Sequence, residues 1–317
     1  MTSNAGVIDY DAAPVLSEEG WQKPLFDTRY AATDYSVTFP CSGVQNVPSL
    51  RFVLRGFNGP CCYDLQNAML AVDVKLTNKA KTGPPPKNLM ASVTNNFLFS
   101  MFSGLRINFG QTNVVNITDY HLVSYLNLRL TTDEQDLSTW AWSQCFVKDN
   151  NFDKMSPDES GFQGRREFFG RYVKEGADNV FEWSVSSTFL MGKLISFLPG
   201  LPMLPQNCDV TVDLDLAPRE IALCAHDEDA DINYVLEEVK LTVPIVRMAD
   251  KVFLNYQERL QHQPMRFNFN KLESYSFAMP KGSRSYVIDS LSVGRSPLRL
   301  YCVVKIIISH TSYTRPL

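Results

Sequence analysis

Short runs in which apolar and polar residues alternate constrain this chain more than any other feature. Tyr35, Val37 and Phe39 take every second place in one run. Leu70, Val72, Val74 and Leu76 do so in the next. Leu105, Ile107 and Phe109 make a third run, and Val210, Val212, Leu214 and Leu216 a fourth. Val239, Leu241 and Val243 make a fifth. A period of two sets one side of an extended strand on a core and the other in water, the habit of antiparallel sheets. Several such runs with turn residues between them predict a sandwich or barrel. A core of that kind needs apolar mass, and 44% of the 317 residues are hydrophobic against 20% charged. The 20 Phe and 13 Tyr suit half-buried sheet faces.

Between these runs the sequence reads as loops and two helices. Residues 79–87 include Gly83, Pro84, Pro85 and Pro86, which no central strand could carry. Residues 148–164 are polar and read as a long surface excursion. Thr118 is placed to cap a helix in which Leu122, Leu126 and Leu130 recur every four residues. A second helix is expected over 249–260, with Val252, Phe253, Tyr256 and Leu260 on one side. Residues 1–30 are polar and irregular and read as an extended arm. Strand-like sequence returns over 289–308, and no repeat of 20–50 residues is present.

Several function classes lose support at this level. Thirty basic and 34 acidic residues give a net charge of −4, and the first twenty residues hold no Lys or Arg. A chain that grips nucleic acid through a basic arm needs many phosphate-neutralising cations, so no direct nucleic-acid binding is expected. The N-terminus lacks the basic and apolar regions of a secretory signal, so secretion is not expected. Lys193, Pro199, Pro202 and Pro205 in and beside the apolar stretch 189–204 argue against a membrane span. Seven cysteines, an odd number at irregular spacing, read as reduced thiols.

No reaction is legible either. His121, His226, His262 and His310 lack partners at metal-site spacing. The best metal candidate runs from Cys224 through His226, Asp227, Glu228 and Asp229 to Asp231 and reads as an acidic, solvated loop. Nucleophile-elbow, phosphate-loop, dinucleotide and zinc-protease motifs are missing. The reading is therefore no enzyme, with no catalytic residue, no metal and no cofactor. Asp213 and Asp215 share a strand face and read as its solvent side. Arg165, Arg166, Phe168, Phe169 and Arg171 mix cations with aromatics that could stack on bases. With Glu167 among them, they read as a solvated loop or subunit contact.

Three segments carry a family resemblance. The first is Phe52-Val53-Leu54-Arg55-Gly56 leading into Tyr63-Asp64-Leu65-Gln66-Asn67-Ala68-Met69-Leu70. The second runs from Asn96-Phe97-Leu98-Phe99-Ser100-Met101-Phe102-Ser103 through the strand to Gly110, followed by the helix from Tyr120 to Leu130. The third is Phe277-Ala278-Met279-Pro280-Lys281-Gly282-Ser283-Arg284-Ser285-Tyr286, then Asp289, Leu291 and Gly294. In order and spacing they resemble the double jelly-roll major capsid proteins of Polinton/Maverick elements and adintoviruses, over about 39–304. That resemblance implies an all-β fold of antiparallel jelly-roll sandwiches with a few short helices. The expected layout is an N-terminal arm (1–30), a first jelly roll (31–248), a linker helix (249–262) and the start of a second jelly roll (263–317). Family members continue through most of that second roll. Here nine residues follow Ile308, so an incomplete second roll is expected, with poor assembly of the chain alone.

The resemblance further implies homotrimers that form pseudo-hexagonal capsomers of an icosahedral virion shell. Its partners would be copies of itself in the trimer and in neighbouring capsomers, together with a penton or minor capsid protein. Assembly would take place in the host nucleus or cytoplasm. Trp140, Trp142, Phe168 and Phe169 are the candidate subunit-interface anchors, because aromatic anchors dominate interface energy. Trp140 and Trp142 would share one strand face, a spacing that suits a domain core equally well. Two other readings stand beside this one: a non-assembling β-sandwich that binds carbohydrate or protein, and a hydrolase or metal-dependent enzyme on a jelly roll.

Overall fold

A computed structural model describes residues 30–44, 47–78, 91–131, 133, 141–147, 160–170, 174–175, 181–190, 208–225, 232–262 and parts of 274–288. The strands are β1 (Tyr30–Thr38), β2 (Ser49–Leu54), β3 (Cys61–Tyr63), β4 (Met69–Thr77), β5 (Ala91–Val93), β6 (Phe102–Phe109), β7 (Thr112–Thr118), β8 (Lys174–Glu175), β9 (Phe181–Leu190), β10 (Val210–Leu216), β11 (Leu223–Ala225) and β12 (Asn233–Met248). The helices are α1 (Phe97–Ser100), α2 (Tyr120–Thr131), α3 (Ser160–Gly170), α4 (Arg219–Ala222) and α5 (Asp250–His262).

Strand order defines the architecture. One sheet runs β1-β12-β4-β9-β8, with β3 also on β12, and the other runs β2-β10-β6-β7. Every pairing is antiparallel. Setting aside the short strands β3, β5, β8 and β11, eight strands remain. In chain order, the first sheet holds the first, eighth, third and sixth; the second holds the second, seventh, fourth and fifth. Consecutive strands change sheets except at the tight β6–β7 hairpin, where Gly110 has φ +57°. That interleaving of two Greek keys is a jelly roll. The fold is an antiparallel jelly-roll sandwich with a few short helices.

Four of the five alternating runs build the core as expected. Leu70, Val72, Val74 and Leu76 of β4 and Val239, Leu241 and Val243 of β12 point inward from one sheet. Leu50, Phe52 and Leu54 of β2, Leu105 and Ile107 of β6, and Val210, Val212 and Leu214 of β10 meet them from the other. Each of these side chains contributes about 1.5–3 kcal/mol by leaving water. A small gap lined from both sheets by Leu54, Ile107, Val212, Leu241 and Val243 marks the seam between the layers.

Two helices differ from expectation in detail. Thr118 ends β7, and Asp119, at φ +52°, occupies the cap position of α2, its carbonyl accepting from Leu122 and Val123. The buried face of α2 is Tyr120, Ser124 and Leu128, while Leu130 is 54% exposed. A serine on the buried side disguised that stripe in the sequence. Helix α5 forms over Asp250–His262 with Val252 and Tyr256 buried. Leu260, expected on the same side, is 37% exposed. Tyr256 lies beside Cys62, which with Val246 makes a small second apolar cluster. The arm 1–29, the 79–87 loop and most of 263–317 lie outside the described residues.

Candidate functional site

Three long connections meet at one end of the sandwich. The β4–β6 connection carries β5 and α1; β7–β9 carries α2, α3 and β8; β10–β12 carries α4 and β11. They are tied together: β5 pairs with β11, Thr94 N–H donates to the Ala222 carbonyl, and Ala217 N–H to the Met101 carbonyl. The Ser92 hydroxyl donates to Phe162 O of α3.

Arg165 is the hub of this cap. It is 1% exposed, donates through Nε to Val93 O at 3.0 Å and through Nη1 to Val147 O at 3.4 Å. Asn95 fixes the same turn, its Nδ2 donating to Val147 O at 2.7 Å while its Oδ1 accepts from Val147 N at 2.9 Å. Gly164 allows the approach, since a Cβ there would stand 3.1 Å from Val147 Cγ1. The basic stretch read as a loop or subunit contact is therefore partly a helix, and its first arginine is a buried fastener. The 148–164 excursion likewise ends early, because α3 begins at Ser160. Sequence carried no sign of this role, as a buried and an exposed arginine look alike in a helix of mixed polarity.

The expected interface aromatics divide. Trp142 sits in a 3₁₀ turn (Trp142–Gln144), not on a strand, and packs half-buried against the core. Phe168 and Phe169 lie within α3, with side chains outside the described set, as is Trp140 altogether.

A different apolar surface does come into view. On β1, Ser36 and Thr38 stand opposite the buried Val243 and Leu241, which turns Tyr35 and Val37 to the outer face. Tyr35 is 58% exposed, Val37 51%, and Phe39 just beyond the strand 55%. The period-two pattern was read correctly, but its apolar side points outward. Among the described strands β1 is also the edge of its sheet. Edge strands with apolar faces template pairing with other chains.

The outer face of the opposite sheet is charged. Asp213 lies between Arg51 of β2 and Arg106 of β6 in register. Arg51 donates to it through Nε at 2.6 Å and Nη2 at 3.2 Å, and Asp213 raises the Arg51 pKa. Asp215 accepts from Arg106 at 2.9 Å, and Asp209 from Arg55 at 3.1 Å and Gly56 N at 2.7 Å. Asp213 was expected to be solvated; it is 4% exposed because the guanidinium of Arg51 covers it. These acids are structural pairs.

The thiols follow burial. Cys62 is pushed up to about 12 by desolvation, and buried Cys145 is raised by the same cause. The described cysteines are free thiols. Cys224 ends buried in β11, and residues 226–231 of the metal candidate lie outside the described set. Among the described residues no three metal-ligating side chains gather, and no helix is long and apolar enough to cross a membrane.

No family model and no curated protein matches the chain. Among solved structures, it is similar to a chain of the Sputnik virophage determined by cryo-EM, with 13% identity, TM-score 0.48, and coverage of 72% of this chain and 50% of that one. It is similar to the Faustovirus major capsid protein with 9% identity, TM-score 0.43, and coverage of 76% and 59%. The mavirus major capsid protein gives 12%, 0.39, and coverage of 72% and 50%. The match thus spans 50–59% of the length of those chains.

Proposed function

We propose that this protein is a structural, viral-type major capsid protein that works by packing against copies of itself. The observation that carries the reading is the ladder of Tyr35, Val37 and Phe39, each more than half exposed along a sheet edge. A sandwich that stayed monomeric would be expected to place polar residues there, as the opposite sheet does with its Arg–Asp pairs. Jelly rolls serve shells because two packed sheets make a rigid wedge whose loops can vary. The family resemblance of three segments supports the same reading.

In this proposal the unit is a homotrimeric, pseudo-hexagonal capsomer of an icosahedral shell, located in the virion. Residues 249–262 link the first jelly roll to a second beginning at 263. Trp140, Trp142, Phe168 and Phe169 are further contact candidates, and the protein carries no catalytic role. The test is molar mass by size exclusion with light scattering, for the wild type and for the triple variant Tyr35→Lys, Val37→Lys, Phe39→Lys. A trimer or larger particle that the variant reduces to monomer is the expected result. A wild type that stays monomeric at tens of micromolar, or retards on immobilised sugars as a monomer, overturns the proposal in favour of a ligand-binding module.

A further inference from the structure

Buried beneath the cap is a set of polar atoms that no protein group satisfies. Asn96 Oδ1, Tyr120 Oη, and both Oε1 and Nε2 of Gln144 are enclosed without a hydrogen-bond partner. Asn96 and Gln144 are 0% exposed and Tyr120 is 1% exposed. All three border α1, a helix of four residues and therefore about 6 Å long. Asn96 is its cap residue, held at φ +60°. Tyr120 packs edge-on to Phe99 with centroids 5.9 Å apart. Gln144 ends the 3₁₀ turn that touches the same helix.

Reorienting the amides does not resolve the deficit. Ser124 Oγ already donates to the His121 carbonyl at 3.1 Å, so it accepts from Asn96 Nδ2 at 3.2 Å. That bond fixes the Asn96 amide and leaves Oδ1 as the unmatched acceptor. Turning Gln144 only exchanges two atoms that are both unmatched. The remaining inventory is two amide acceptors, one amide donor group and one hydroxyl that both gives and accepts. All are neutral, which suits neither a metal ion nor a charged anion. It suits water, which offers two donors and two acceptors and occupies buried sites with two to four polar partners.

We propose that the α1–α2 contact is built around an internal hydration site, in which ordered water bridges Asn96 Oδ1, the Tyr120 hydroxyl and the Gln144 amide. The site fastens the β4–β6 connection to the β7–β9 connection, the two that Arg165 also joins through Val93 and Val147. It does not depend on the capsid reading. A high-resolution crystal structure of the full chain should show ordered water within hydrogen-bond distance of at least two of these groups. Gln144→Met and Tyr120→Phe should each lower Tm by about 2–4 °C, and together by less than the sum, because they share the bridge. Density without water around side chains placed as here overturns the proposal. So does a direct Tyr120–Gln144 bond, or a rise in Tm for Gln144→Met. Where a variant does not fold, the wild-type density alone decides.

Discussion

Arg165→Ala should loosen the cap and leave the sandwich standing. The wild-type guanidinium donates to Val93 O at 3.0 Å, a charge-assisted bond worth about 1.5–3 kcal/mol. Its second bond, 3.4 Å to Val147 O, is long, and that carbonyl also receives Asn95 at 2.7 Å. It adds less, about 0.5–1 kcal/mol. Truncating a side chain that is 1% exposed also leaves a void costing on the order of 1 kcal/mol. The total is about 3–5 kcal/mol, or about a 5–8 °C fall in Tm. Arg165→Met keeps most of the volume and removes the buried charge together with its bonds, so it should cost about half as much. Urea denaturation gives the free energies, and hydrogen exchange gives their location. Protection should fall in α3, β5 and residues 141–147 and persist in β4 and β12. An Arg165→Ala cost below about 1 kcal/mol, or equal loss of protection in β12, would refute the hub role.

Other expectations are simpler to check. At Gly104 a Cβ would stand 2.7 Å from Asp215 Oδ2, so Gly104→Ala should displace that carboxylate from Arg106 at a cost of about 1 kcal/mol. Asp215→Ala should relieve most of that cost, and a double-mutant cycle by urea unfolding shows whether the two effects couple. Asp209 is held below the usual carboxylate range, chiefly by the Gly56 N–H and then by Arg55. Because its folded pKa is depressed, its stabilising effect is present above about pH 4 and lost as pH falls through the folded value. Asp209→Asn should therefore flatten the acid limb of the Tm–pH curve below about pH 4. A thiol reagent at pH 8 should modify exposed Cys41 quickly and spare Cys62 and Cys145 until urea unfolds the chain. Rapid labelling of Cys62 in the folded protein would contradict its burial.

The sandwich was legible because its information is local. Four of the five alternating runs landed inward with the expected faces, since strand period and core burial are one constraint seen twice. The remaining run, on β1, has the right period and the opposite face. Which side of an edge strand meets the core depends on its register against β12, and that is fixed by residues two hundred positions away. The cap was illegible for a related reason. Arg165, Asn95 and Val147 are joined only by folding, and each alone looks like a surface residue, a turn residue and a loop residue. The helix stripe on α2 failed through Ser124, a polar residue buried because Asn96 donates to it.

The two outer faces of the sandwich differ in a way that bears on how copies would meet. On the β2-β10-β6-β7 sheet, Arg51, Asp213 and Arg106 form one cross-strand row, with Asp215 and Arg106 joined beside it. Covering such a row would desolvate charges already satisfied where they are, and would return little. On the other sheet, the edge at Tyr35, Val37 and Phe39 offers apolar area whose removal from water returns about 25 cal/mol per Å². Association should therefore proceed through the β1 edge, with the charged sheet left in solvent. A contact made by one edge of an asymmetric wedge can close in two ways. If β1 meets β1, the result is a two-fold dimer; if it meets some other surface of the next copy, the result is a ring. Only the second is compatible with a trimeric capsomer. The mass of the wild-type particle therefore reports on the kind of contact as well as on its existence, since a clean dimer dispersed by the lysine variant would confirm the edge and refute the ring.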